Sequence, residues 1–259
     1  MINRYASLRQ GLIGAWCPSV QRCGSGFTLP DLSGYGNAGV LTNMDPGTDW
    51  VASGSGLALD FDGVNDYVNA RIPTLELSTD GCTLSLWYRN TTGTTGVYAA
   101  LCSSTSGTQF LIFQASGSAI NLGQRFNAGG DTATSGGTWQ SASWKNIIAV
   151  STPSALTLYS NGLQTSTLSR TSGATTFNQI SIGALNRAGS LSNYSVSQQD
   201  DIRIYNRAIT PSEIQLLYTG GRGVGLAPER IKHRRKTTAA ATFKAAWARR
   251  QQHIGSGVY

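Results

Sequence analysis

The sequence predicts an all-β fold, an antiparallel two-sheet sandwich or barrel, with one short helix and a basic C-terminal extension. Three observations carry this. Short runs alternate polar and apolar residues, Gly, Ser and Thr recur between them, and helical periodicity is nearly missing from residues 1–218. Charged residues make up 13% of the 259 and hydrophobic residues 40%. That is too little charge for a coiled coil or helical bundle, and too much apolar surface for disorder throughout. No apolar run approaches the roughly 18 residues of a membrane-spanning helix. The Met1–Arg4 start reads as no secretory signal.

Taken in chain order, apolar runs at Gly56–Phe61 and Tyr67–Val68 flank the turn-rich Asp62-Gly63-Val64-Asn65-Asp66. Thr83-Leu84-Ser85-Leu86-Trp87 alternates, which places Leu84 and Leu86 on one face of a strand. Leu156-Thr157-Leu158-Tyr159 does the same and leads into Asn161-Gly162, then Leu163-Gln164-Thr165. Asn-Gly between two such runs predicts a two-residue type I′ hairpin, whose central residues both need positive φ. Ile180-Ser181-Ile182-Gly183 and Asp201-Ile202-Arg203-Ile204-Tyr205 are two more alternating runs. One helix is signposted by Thr210-Pro211-Ser212-Glu213, a capping box with Pro at the first helical position. Ile214, Leu217 and Tyr218 give it a short apolar face, and Gly220-Gly221 ends it.

Charge divides the chain unevenly. Residues 1–218 carry a net −1, whereas 219–259 carry +8, with Glu229 opposing nine cations. The division predicts a body at 1–218 and a Gly-linked, partly helical anchor at 219–259. Its named contacts are Arg230, Lys232, Arg234, Arg235, Lys236, Arg249 and Arg250, with Phe243 and Trp247 four apart on one helical face. A solvated charge run and a nucleic-acid contact are the other readings of that charge. No nucleic-acid-binding fold accompanies it, and docking on an acidic protein surface is the preferred reading.

Seven segments in register identify the body more closely. They are Gly11–Trp16, Asp31–Gly39, Leu59–Val68, Leu84–Trp87, Trp144–Val150, Leu156–Gly162 and Asp200–Thr210. Together they resemble the LamG-like modules of the concanavalin A-like lectin/glucanase superfamily, over about residues 11–218. The resemblance implies a jelly-roll sandwich. It departs from the family at Trp144-Lys145-Asn146, where paired His usually stands. The ending Trp247–Gly257 is similar to C-termini joined to such modules in marine bacteriophage proteins.

Glycosidases of this fold use facing carboxylates on an E-x-D-x-x-E type strand. Glu76, Glu213 and Glu229 are the only glutamates, and none lies in such a pattern. Asp60, Asp62 and Asp66 read as members of a structural turn. His233 and His253 both fall in the extension, so no Ser-His-Asp or Cys-His set can be built in the body. No enzyme is expected. Cys17, Cys23, Cys82 and Cys102 lack metal-ligand spacing; Cys82 shares parity with Leu84 and Leu86 as a buried thiol, and a Cys17–Cys23 loop closure is left open, with reduced thiols expected. No cofactor is required, and calcium is the ion the resemblance suggests, on Asp31 and Asn37 facing Asp200 or Asp201; Asx turns without an ion are the alternative.

Trp16, Trp87 and Trp144 are expected in the core. Trp50, Tyr98, Phe126, Trp139 and Tyr194 lie in Gly/Ser/Thr-rich contexts. Of these, Trp139, Tyr194, Trp50 and Phe126 are the candidate glycan contacts. The resulting expectation is a non-enzymatic virion structural protein of a bacteriophage, decorating the head or associated with the tail. It would sit beside other virion proteins or copies of itself, with a glycan as the further partner. The competing expectation is a carbohydrate-binding module of a bacterial surface or secreted protein.

Overall fold

The computed structural model describes residues 5–20, 26–76, 81–90, 92, 94–116, 119–125, 131–136, 140–170 and 175–226. After a 3-10 turn at Ala6–Arg9 come β1 (Leu12–Trp16), β2 (Thr28–Leu29), β3 (Gly39–Thr42), β4 (Trp50–Ala52), β5 (Leu57–Asp62) and β6 (Tyr67–Glu76). Next are β7 (Cys82–Asn90), β8 (Gly96–Cys102), β9 (Phe110–Ser116), β10 (Ala119–Arg125), β11 (Asp131–Gly136) and β12 (Ser141–Ser151). The chain continues through β13 (Ala155–Ser160), β14 (Leu163–Ser169), β15 (Thr176–Ile182), β16 (Leu185–Arg187), β17 (Ser190–Ser192), β18 (Val196–Tyr205) and α1 (Pro211–Thr219).

The strands form two eight-stranded antiparallel sheets, the jelly-roll sandwich. Sheet A runs β14-β13-β12-β7-β18-β5-β4, with β1 also paired to β18. Sheet B runs β11-β10-β9-β8-β15-β6-β3-β2, and β16–β17 form a separate ribbon. Period-2 alternation supplies the interior. Leu84 and Leu86 of β7, Leu156 and Leu158 of β13, Ile180 and Ile182 of β15, and Ile202 and Ile204 of β18 meet in one buried cluster. Cys82 is buried with them. Asn161 and Gly162 have φ of 50° and 79° between β13 and β14, the backbone that the Asn-Gly pair predicts for a tight hairpin.

Helix α1 begins on its capping box. Thr210 Oγ1 accepts from the Glu213 amide at 3.3 Å, and Glu213 Oε2 accepts from the Thr210 amide at 2.8 Å. The sequence did not point to the further bond: the Glu213 carboxylate also takes both terminal nitrogens of Arg207, at 2.7 and 2.8 Å. That pairing holds the Glu213 carboxyl below the usual carboxylate range.

The middle of sheet A, at β1, β7 and the second half of β18, is buried on both faces. Its outer face carries a second apolar cluster in which Tyr205 and Ile148 meet Leu8, Ile214, Leu217, Val224 and Leu226. The segment 219–226 is therefore packed on the sandwich and is not a linker. The expected boundary at 218 falls inside α1, and packing continues through Leu226. The physical reason is that Val224 and Leu226 restore the apolar cover that α1 is too short to provide. The basic residues Arg230, Lys232, Arg234, Arg235, Lys236, Arg249 and Arg250, with Phe243 and Trp247, lie outside the described residues.

Candidate functional site

Two clefts stand out on the described sheets. The first opens where β5, β7 and β18 lie side by side in sheet A. Register pairs Gln198 with Asp60 on one side and with Arg89 on the other, so three polar side chains form a row across three strands. Gln198 Oε1 accepts from Arg89 Nε at 3.1 Å and from Arg89 Nη2. Gln198 Nε2 donates to Asp60 Oδ2 at 3.4 Å. The cleft encloses about 360 Å³, and Asp49, Asp62, Asn90 and Thr92 also line it. Three carboxylates face one guanidinium there, which makes the cleft net acidic. Burial raises the Asp60 carboxyl above its usual range, opposed by the Gln198 bond.

The neighbouring aspartates are turn-formers, as the sequence suggests. Asp62 Oδ1 accepts from the Val64 amide at 2.7 Å, and Asp66 Oδ2 accepts from the Asp62 amide at 3.2 Å. Burial pushes the Asp66 carboxyl to about 6. Asp60 departs from the expectation, because it bonds Gln198 across the sheet and lines the cleft. Its parity with Asp62 on one strand face was the available signal.

The second cleft is a groove on sheet B of about 550 Å³. Asn69 and Arg71 of β6, Gln179 of β15, Val40 of β3 and the loop at Asn37 line it. Val40 pairs with Asn69 and Gln179 with Arg71, so these residues are also adjacent rows of one sheet. Asn186 of the ribbon donates to Asn69 Oδ1 at 3.5 Å.

The residues expected to hold calcium bond protein groups. Asp31 turns its oxygens to its own surroundings: the amides of Ala15, Ser33 and Asn37 and the Ser33 hydroxyl, at 2.7–3.0 Å. Asn37 points its amide at Ile13 O. Asp200 Oδ1 accepts from the Ser19 and Asp201 amides at 3.2 and 2.8 Å, and its other oxygen lies 3.4 Å from Arg222. Asp201 takes Arg203 Nε at 2.7 Å and the Gly223 amide at 2.8 Å. Amide protons thus take both Asp31 oxygens and Asp200 Oδ1, while Asp200 Oδ2 faces the Arg222 guanidinium without a hydrogen bond. Among the described residues no group of three His, Cys, Asp or Glu could hold a metal.

Of the candidate glycan contacts, Trp50 belongs to the core. It is 9% exposed, and its indole N–H donates to Gly26 O at 3.2 Å, so its faces are not free for a sugar. Its place on β4, paired with β5, explains this. Tyr98 is likewise internal, stacked on Tyr88 with ring centroids 4.5 Å apart. Tyr194 is half-buried and stands two residues ahead of Val196, which lines the acidic cleft. Trp139 and Phe126 lie outside the described residues, as does Cys23. Cys17 is buried and bonds Asp200 and Ser19 through its sulfur. Trp16 and Trp87 are buried as expected, whereas Trp144 is half-buried with Arg222 stacked 4.0 Å from its ring centroid.

A two-sheet jelly roll with a polar cleft on each large sheet is the architecture of the lectin-like sandwiches. The chain belongs to the concanavalin A-like lectin/glucanase superfamily: the superfamily's laminin G model matches residues 62–215, more than half of its length. No curated protein matches it in sequence. Solved structures of similar fold include the receptor-binding domain of botulinum neurotoxin D, with TM-score 0.64 at 9% identity over 82% of this chain and 53% of that one. The serotype G binding domain gives 0.62 at 14% over 80% and 50%. The serotype D ligand-binding domain in complex with N-acetylneuraminic acid gives 0.63 at 12% over 83% and 52%. The chain thus spans about half the length of these structures, and at such identities the likeness is one of fold.

Proposed function

We propose that the protein is a non-enzymatic glycan-binding display module. The observation that carries this is the Asp60–Gln198–Arg89 row in the sheet A cleft. Sugar hydroxyls are both donors and acceptors, so a rigid strand-borne row of carboxylate, amide and guanidinium meets them well. The net acidic lining favours a neutral or amino sugar over an acidic one. The superfamily supports a saccharide ligand, as does a fold neighbour solved with N-acetylneuraminic acid. Catalysis is disfavoured because Asp62 and Glu213 are engaged by a turn and a helix cap respectively.

The setting proposed is a bacteriophage virion, where the basic segment beyond Leu226 docks on an acidic surface of neighbouring virion proteins. Its support is in the sequence: the charge division and the C-terminal resemblance. A glycan array probed with the full chain, followed by calorimetry on a hit, tests the binding role. Asp60→Asn and Gln198→Ala should each weaken binding at least tenfold with an unchanged circular dichroism spectrum. Absence of any hit, or release of new reducing ends from a bound glycan, would overturn the reading. Mass spectrometry of purified particles tests the setting, and a protein found instead on the bacterial surface or in the medium would refute it.

A further inference from the structure

The geometry points to a second saccharide site, on the outer face of sheet B, selective for sugars that bear a carboxylate. It stands apart from the acidic cleft of sheet A and does not depend on it. Its charged group is Arg71, which is exposed and makes no hydrogen bond or ion pair with any described residue. No carboxylate lines the groove. The adjacent Asp31 turns its oxygens to its own loop, as described above.

Around this cation stand amides and exposed apolar groups. Asn69 and Gln179 offer donors and acceptors from adjacent strands, and Asn69 is steadied by Asn186. Gln179 Nε2 reaches Ser103 O at 3.4 Å, which orients its amide within the row. Tyr35 is 58% exposed beside Gly36 at the rim, and Val40 is 57% exposed within the lining. Phe27, at 61%, leads into β2, which pairs with β3 at Val40. Val40 in the lining and Tyr35 next to it leave apolar surface open to a ligand. A pyranose ring matches them, since its CH-rich face packs on an aromatic ring while its hydroxyls take the amides. A guanidinium free of protein carboxylates selects the acidic members of that class through a bidentate carboxylate contact.

The test uses the full chain with trigalacturonate and with its carboxyl-reduced trisaccharide, measured by calorimetry and amide chemical-shift mapping. The acidic probe should bind more tightly than the reduced one, weaken as salt rises, and shift resonances of Tyr35, Asn69 and Gln179. Arg71→Gln should cut its affinity at least tenfold while leaving the reduced probe unchanged, and Tyr35→Ala should weaken both. Asp60→Asn should leave this binding intact, which separates it from the sheet A cleft. Retention of binding by Arg71→Gln, together with its loss in Arg234→Gln/Arg235→Gln/Lys236→Gln, would assign the probe to the basic extension and overturn the site. So would equal competition by triglutamate, which would make the groove an acidic-peptide surface, or a wild-type chain that binds neither sugar.

Discussion

The Gly223 amide donates to Asp201 Oδ2 at 2.8 Å, joining the segment after α1 to the middle of β18. The same carboxylate grips Arg203 through Nε at 2.7 Å and Nη2 at 2.8 Å, and each side chain of the pair is 1% exposed. Asp201 has φ of 52°, and pairing of β18 with β7 shifts register between Asp200 and Arg203. At this point β18 also exchanges β5 for β1 as its other neighbour. The kink therefore presents two consecutive carboxylates under the cover formed by residues 219–226.

Breaking the Asp201–Arg203 pair is expected to be costly. Arg203→Met leaves a buried carboxylate without its guanidinium, a change worth about 3–5 kcal/mol. Adding Asp201→Asn removes the orphaned charge, and Asn tolerates the left-handed backbone. The double variant should therefore recover much of the loss. Urea unfolding followed by tryptophan fluorescence gives the comparison. A single-variant cost under about 1 kcal/mol would show that solvent already reaches the pair.

Acidification should first stabilise the fold and then destabilise it. Burial, with a smaller contribution from Asp201, raises Asp200 to about 6, and burial raises Asp66 to about 6 as well. Both carboxyls bind protons more tightly when folded, so folding gains stability as pH falls from 7 through 6, fully realised below about 4. Glu213 has the opposite sign, because Arg207 lowers its folded pKa and its contribution disappears as pH falls below the usual carboxylate range. The melting temperature should peak between about pH 4 and 5. Asp200→Asn should flatten the rise between about pH 7 and 5; an unchanged slope in that variant would remove Asp200 as its source.

Local chemistry explains which parts of this fold were legible in the sequence. Asn161-Gly162, Leu84/Leu86 and Thr210–Glu213 encode their structure within a few residues, because turn, strand face and cap are each set by neighbours. Trp50 and Tyr98 sit in stretches of loop-like composition and are buried by packing into the core between the sheets, where Trp50 also bonds Gly26 O and Tyr98 stacks on Tyr88. Arg203 occupies the polar beat of an alternating strand, which normally means exposure. It is buried because α1 and residues 219–226 lie over that face. The Asp60–Gln198–Arg89 row joins residues 138 and 109 apart in sequence, so no local pattern announces it.

Gly183 ties the rim of the acidic cleft to the core, and its substitution separates packing from backbone strain. It has φ of 85°, its amide donates to Tyr98 O, and its carbonyl accepts from the Ser195 amide, each at 2.8 Å. An added Cβ would lie 2.4 Å from Phe61 Cδ1 and 3.1 Å from Asp66 O. Phe61 is 1% exposed and cannot swing away, and its neighbours Asp60 and Asp62 line the cleft. Gly183→Ala thus meets left-handed strain of about 1–2 kcal/mol and overpacking of about 1–3 kcal/mol. Gly54 supplies the control: its φ is 80° and a methyl group there would have nothing within 4 Å, so Gly54→Ala meets the strain alone. Denaturant unfolding should place Gly183→Ala below Gly54→Ala by the packing difference. It should also weaken the glycan binding proposed for the sheet A cleft, because a displaced Phe61 shifts Asp60 away from Gln198. Equal stability in the two variants would mean that the core yields at Phe61 without cost.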